Sequence, residues 1–146
     1  MDPLEPPVRP VKHSLKFWLR LLGTLDLLAL LAVILPDRGI VALNDASGLA
    51  AFPDATIAWY LARSASLMYA LYGALLWFLS TDVPRYLPVI RFLSYWAIGH
   101  GCVITGLDFA IGMPIWWSLT EGPVYALAGV LLLCLARREE QSHEGT

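Results

Sequence analysis

The chain has 146 residues, 58% of them hydrophobic and only 15% charged, and its mean hydropathy is +0.61. Those proportions exclude an ordinary water-soluble domain, and a net charge of −2 gives no reason to expect nucleic acid or an acidic partner. The apolar residues gather into four stretches, about 16–36, 55–79, 87–112 and 115–136, each of the length a membrane helix requires. So little chain lies outside them that any site must be built from the helices or their short connections.

Residues 1–15 are rich in proline (Pro3, Pro6, Pro7, Pro10) and read as a disordered cytoplasmic tail. A cleaved signal peptide is not expected, because the first apolar run is longer than a signal core and lacks a small-x-small cleavage site before Pro36. The first span, 16–36, carries Asp26. The connection 37–54, bracketed by Pro36 and Pro53, is open to either an interfacial helix or a lid. The second span, 55–79, holds Arg63, Tyr69 and Tyr72. It also has a small residue at every fourth position, from Ala58 through Ala62, Ser66 and Ala70 to Ala74. Such a stripe lets a neighbouring backbone approach closely, which drives helix association where lipid removes the hydrophobic incentive. The third span, 87–112, repeats the device with Ala97, Gly101 and Thr105, and carries Tyr95, His100 and Asp108. The fourth, 115–136, has Ser118, Gly122 and Ala126 at the same spacing, together with Glu121, Pro123 and Tyr125. Pro123 cannot donate a backbone hydrogen bond and crowds the carbonyl of Leu119, which predicts a kink beside Glu121. Residues 137–146 read as a second cytoplasmic tail.

Short connections make sequential helices antiparallel, so the expected fold is all-α: an integral membrane four-helix bundle running up, down, up and down. Basic residues fall on alternate sides. Arg9, Lys12, Lys16 and Arg20 open the first span, Arg85 and Arg91 flank the second turn, and Arg137 and Arg138 follow the last span. By the positive-inside rule these sites are cytoplasmic, which puts both termini inside. The opposite connections agree, with Asp37, Asp45 and Asp54 against a single Arg38 in one and no charge at Met113-Pro114 in the other.

Five ionisable side chains lie within the spans, and each costs roughly 2.5–3.5 kcal/mol to insert unless it pairs, protonates or lines a wet cavity. Helical rise sorts them by depth from the outer ends: Asp108 at ~6 Å, Glu121 at ~9 Å and Arg63 at ~12 Å, then Asp26 at ~15 Å and His100 at ~18 Å. The upper three predict a pairing of the Arg63 fork with Glu121, Asp108 or both. Asp26 and His100 form a candidate second pair. Tyr69, Tyr72 and Tyr125, with Pro123, are the expected lining of a pocket in this outer half. No catalytic residue is assigned, since no nucleophile and base share a recognisable spacing. No metal site is expected either, because only His100 lies deep, with His13 and His143 in the flanks. Cys102 and Cys134 lie at different depths and read as packing residues rather than a disulfide pair.

The run Ala62-Arg63-Ser64 through Tyr69, Tyr72 and Gly73, then Arg85-Tyr86 and Gly112-Met113-Pro114, resembles the DoxX-like family of small four-helix membrane proteins over most of the chain. The resemblance implies a four-helix bundle in a bacterial inner membrane and, in some relatives, association with quinone or thiol redox partners. No flavin, haem or metal motif accompanies it. Three functions from different classes follow. First comes a binding or accessory protein that holds a lipid-like or small polar ligand near Arg63 and Glu121, with enzyme activity left open. A quinone-linked oxidoreductase subunit is second, with Arg63, His100 and the tyrosines bonding the quinone oxygens. A proton-coupled small-molecule carrier is third; four spans are few for one, and a homodimer or a partner membrane protein would enlarge it.

Overall fold

A computed structural model of the chain describes residues 11–144, and among these helix is the only regular secondary structure, with no strand. Residues 1–10 of the predicted N-terminal tail lie outside the described part, whereas residues 11–15 are already helical. Six helices follow one another: α1 (Val11–Leu27), α2 (Leu30–Ile34), α3 (Asp37–Ala46), α4 (Thr56–Leu79), α5 (Val83–Ile111) and α6 (Ile115–Glu144). The α6 helix therefore continues through most of the predicted C-terminal tail.

The first predicted span is two helices rather than one. Beyond Leu27 the hydrogen bonds shorten to three-residue steps, from Ala29 to Asp26 at 3.1 Å, Leu31 to Leu28 at 3.0 Å and Ala32 to Ala29 at 3.0 Å. Such a tightened turn breaks the α-helical ladder without proline or glycine. Pro36, in extended conformation, then starts α3. At the start of α5, Asp82 accepts from the Arg85 N–H, and a proline stands in the first turn, where its missing donor costs nothing. Gly112, at φ +77°, ends α5 in the left-handed conformation that glycine adopts without strain. The Met113 N–H returns to the Asp108 carbonyl at 2.9 Å, closing the helix end before Pro114.

Three of these segments are long and apolar enough to cross a membrane: Ser14–Ile34, Val83–Ile111 and Ile115–Gln141. α4 has 24 residues but is not among them. Arg63, Ser64 and Ser66 near its start dilute its apolar character. The large side chains pointing outward are overwhelmingly hydrophobic; Phe92, Val103 and Leu127 are each about two-thirds exposed. That surface belongs in lipid, and the chain is built as a membrane protein.

Glycine sets the closest helix contacts. α5 and α6 lie antiparallel, and a Cβ on Gly122 would stand 2.6 Å from the Gly101 carbonyl oxygen and 2.7 Å from the Thr105 nitrogen. α1 and α4 meet in the same way, with a Cβ on Gly23 only 2.7 Å from the Gly73 carbonyl oxygen. On α4 the contact is thus made at Gly73 and the buried Ala70, while Ala74 of the predicted stripe faces outward. α1 also packs on α6, and α4 barely touches α5. Leu15, Leu19, Leu76, Leu79, Ile90 and Leu132 form the tightest core, all toward the end that bears Lys16, Arg91 and Arg138. Arg20 is tied across this end to Ser80 at 3.2 Å, and Arg91 donates to both oxygens of Glu140 at 2.9 and 3.0 Å. Toward the other end, where α3 lies, stand Asp26, Tyr69, Glu121 and Tyr125.

Candidate functional site

Asp26 stands at the end of α1, just before the helix breaks. Its Oδ1 accepts a hydrogen bond from the Tyr125 hydroxyl of α6 at 2.9 Å. One turn earlier on α6 is Glu121. Its Oε1 accepts from the Tyr69 hydroxyl of α4 at 3.1 Å, and its Oε2 from the indole N–H of Trp117. The i, i+4 spacing of Trp117 and Glu121 makes that last bond local to α6. Tyr125 ties the network together. Its ring lies 5.9 Å from that of Tyr69 and 6.5 Å from that of Tyr72, and meets the His100 ring of α5 edge-on at 5.6 Å.

Two of the predicted pairings are replaced. Arg63 does not reach Glu121 or Asp108: its guanidinium bonds Asp37 of α3 at 2.7 Å and the Leu35 carbonyl at 3.3 Å, over the Trp59 ring. The long side chain runs along α4 toward the helix end, where the first-turn carboxylate of α3 waits. Arg63 therefore anchors the 37–54 connection rather than pairing with the carboxyl groups of the interior. Asp26 does not pair with His100 either: its Oδ1 takes the Tyr125 hydroxyl, and the His100 ring meets the Tyr125 ring edge-on.

Asp108 is 5% exposed, and its Oδ2 has no hydrogen-bond partner. It stands one turn before the end of α5, near the hairpin turn. Pro123 sits inside α6, half-buried, and lines neither cleft described below. Cys102 and Cys134 are free thiols on the outward surface, not packing residues of the interior.

Two clefts flank the Tyr69 and Tyr125 rings. One, of about 330 Å³, opens between α4 and α5 and is lined by Met68, Tyr69, Tyr72, Trp96, His100 and Tyr125. The other, of about 340 Å³, lies between the α1–α2 joint and α6, and contains both Asp26 and Glu121 with Trp116 and Trp117. Sequence reasoning missed Trp96 and Trp117. Trp117 carried one signal, its four-residue spacing from an intramembrane glutamate, and Trp96 carried none.

The network thus offers carboxyl oxygens and aromatic faces to spaces of the size that small ligands occupy, in a setting where polar contacts are not diluted by water. Among the described residues no group of three or more His, Cys, Asp or Glu side chains converges as a metal site would require. Comparison with protein-family models, curated proteins and solved structures finds no match.

Proposed function

We propose that the chain is a membrane-embedded binding or accessory protein: a four-helix up-down-up-down bundle of the inner membrane, DoxX-like in plan, with both termini in the cytoplasm. Its ligand is lipid-like, with a compact polar head held in the tyrosine and carboxyl network and an apolar body left against the surrounding chains. The observation that carries this reading is the pair of clefts on either side of the Tyr69 and Tyr125 rings, each open to the side and each reaching hydrogen-bonding groups. A molecule dissolved in the bilayer enters such clefts without crossing water.

The basic residues near the packed end support the orientation. A quinone is the second reading, favoured by the α4–α5 cleft in particular. Tyr72 and His100 there can each donate to a carbonyl oxygen, and Trp96 and Tyr125 offer faces to a flat ring.

The test is to purify the full chain in mild detergent, extract it and compare the extract by mass spectrometry with that of a Tyr69→Phe, Tyr125→Phe double variant. An amphiphile retained by the parent protein and depleted in the variant is expected. Identical extracts from the two proteins overturn the binding reading, and a retained quinone replaces the first reading by the second.

A further inference from the structure

The cleft beside the α1–α2 joint has an unusual charge balance. Asp26 and Glu121 both line it, and every hydrogen bond they receive comes from a neutral donor: the hydroxyls of Tyr125 and Tyr69 and the indole of Trp117. No Lys, Arg or His lines the cleft, and Arg63, the cation predicted to serve it, is held by Asp37 instead. α1 also ends at Leu27, so the carbonyl end of that helix, the negative end of its dipole, lies beside Asp26. Negative potential is therefore concentrated in a space that the protein itself does not neutralise. In a medium this apolar, an excess of carboxylate is balanced by a proton or by a bound cation.

The lining decides which kind of cation fits. Tyr69, Tyr125, Trp116 and Trp117 surround the same space. The two tryptophan rings stand 5.4 Å apart at 70°, and the two tyrosine rings 5.9 Å apart at 47°, so several faces and edges converge from different directions. Aromatic faces attract cations whose charge is spread over methyl or aryl groups, an attraction that strengthens when water is excluded. Only two side chains of the His, Cys, Asp and Glu types line it, fewer than the three or more that converge at a metal site, and its walls are otherwise aromatic and aliphatic apart from the Thr120 hydroxyl. At about 340 Å³ the cleft instead has the size of small organic ligands.

We propose that this cleft binds an organic cation of the quaternary ammonium or phosphonium type, presented either as a free lipophilic ion or as the ammonium headgroup of a phospholipid. Asp26 and Glu121 supply the counter-charge and the four aromatic rings the cage. This rests on the binding reading above and names the ligand class of the same network.

The experiment is equilibrium binding of labelled tetraphenylphosphonium to the full-length protein in detergent, with triphenylphosphine oxide as the neutral competitor. Saturable binding of the cation is expected, with the neutral compound failing to displace it. Glu121→Gln should weaken binding about tenfold or more, and Trp116→Leu several-fold, as loss of one desolvated cation–π face implies. Trp116 is 45% exposed, so that variant keeps its fold even if Glu121→Gln does not, and circular dichroism checks both. A parallel arm places the protein in phosphatidylcholine or phosphatidylglycerol nanodiscs and weighs the complexes by native mass spectrometry. Selective retention of phosphatidylcholine that tetraphenylphosphonium displaces assigns the cleft to a headgroup; cation binding without such retention assigns it to a free ion. Equal binding of the neutral compound, unchanged in Glu121→Gln, overturns cation selectivity and leaves the binding reading standing. Binding of neither probe and of no lipid overturns both.

Discussion

Tyr125 connects the polar interior, because it touches groups from the other three long helical segments: Asp26 by its hydroxyl, and Tyr69, Tyr72 and His100 by its ring. Removing only the hydroxyl isolates one bond. Tyr125→Phe should lower unfolding stability in detergent by about 1–3 kcal/mol, since a half-buried carboxyl oxygen loses its donor. Tyr60→Phe, at a position 64% exposed, should stay within about 0.5 kcal/mol of the parent. Equal effects would mean that the Asp26 contact adds nothing. At this scale the sequence identified the acids but not their partners. An aspartate inside an apolar run is conspicuous, whereas the tyrosine that satisfies Asp26 lies 99 residues away, and helical periodicity does not set how two helices are rotated about their axes. Arg63 shows a related limit. Depth arithmetic follows the Cα atom, and a guanidinium at the end of a flexible stem reaches a full turn away, here to Asp37.

Among the elements, the α5–α6 hairpin is the part most plainly written in the chain. The spacing of Ala97, Gly101 and Thr105 against Ser118, Gly122 and Ala126 predicts a close crossing, and Gly101, Thr105, Gly122 and Ala126 do meet there. Gly122→Ala should therefore force two backbones apart and cost about 1–3 kcal/mol. Gly106→Ala, on the same hairpin but with open space around the added carbon, should be neutral or slightly stabilising through helix propensity. Thermal unfolding of the two variants side by side checks this; a tolerated Gly122→Ala would show that the crossing is not tight. The break between α1 and α2 was not legible. Leu28 and Ala29 are good helix formers, so local preference gives no warning of the turn beyond which α2 packs on α4. α3 was half legible: Pro36 and Asp37 mark a helix start, but no apolar stripe in the sequence decided between a helix and a lid.

For the molecule as a whole, the proposed orientation places α3 outside and the turn between α4 and α5 inside. With Cys102 and Cys134 replaced by serine, Asn44→Cys should react with an impermeant maleimide on intact cells, and Thr81→Cys only after permeabilisation. The opposite pattern would invert the topology. Both native thiols face outward, so their removal leaves the interior untouched. The leucine layer of Leu15, Leu19, Leu76, Leu79, Ile90 and Leu132 has a further consequence when set against the clefts above it. The molecule is shaped like a cup with the leucine layer as its floor, and a guest lodged beside Tyr125 would depart sideways, by the door it came in. On the binding reading proposed above, such a vessel stores or presents its guest, and through-passage would require the floor itself to come apart.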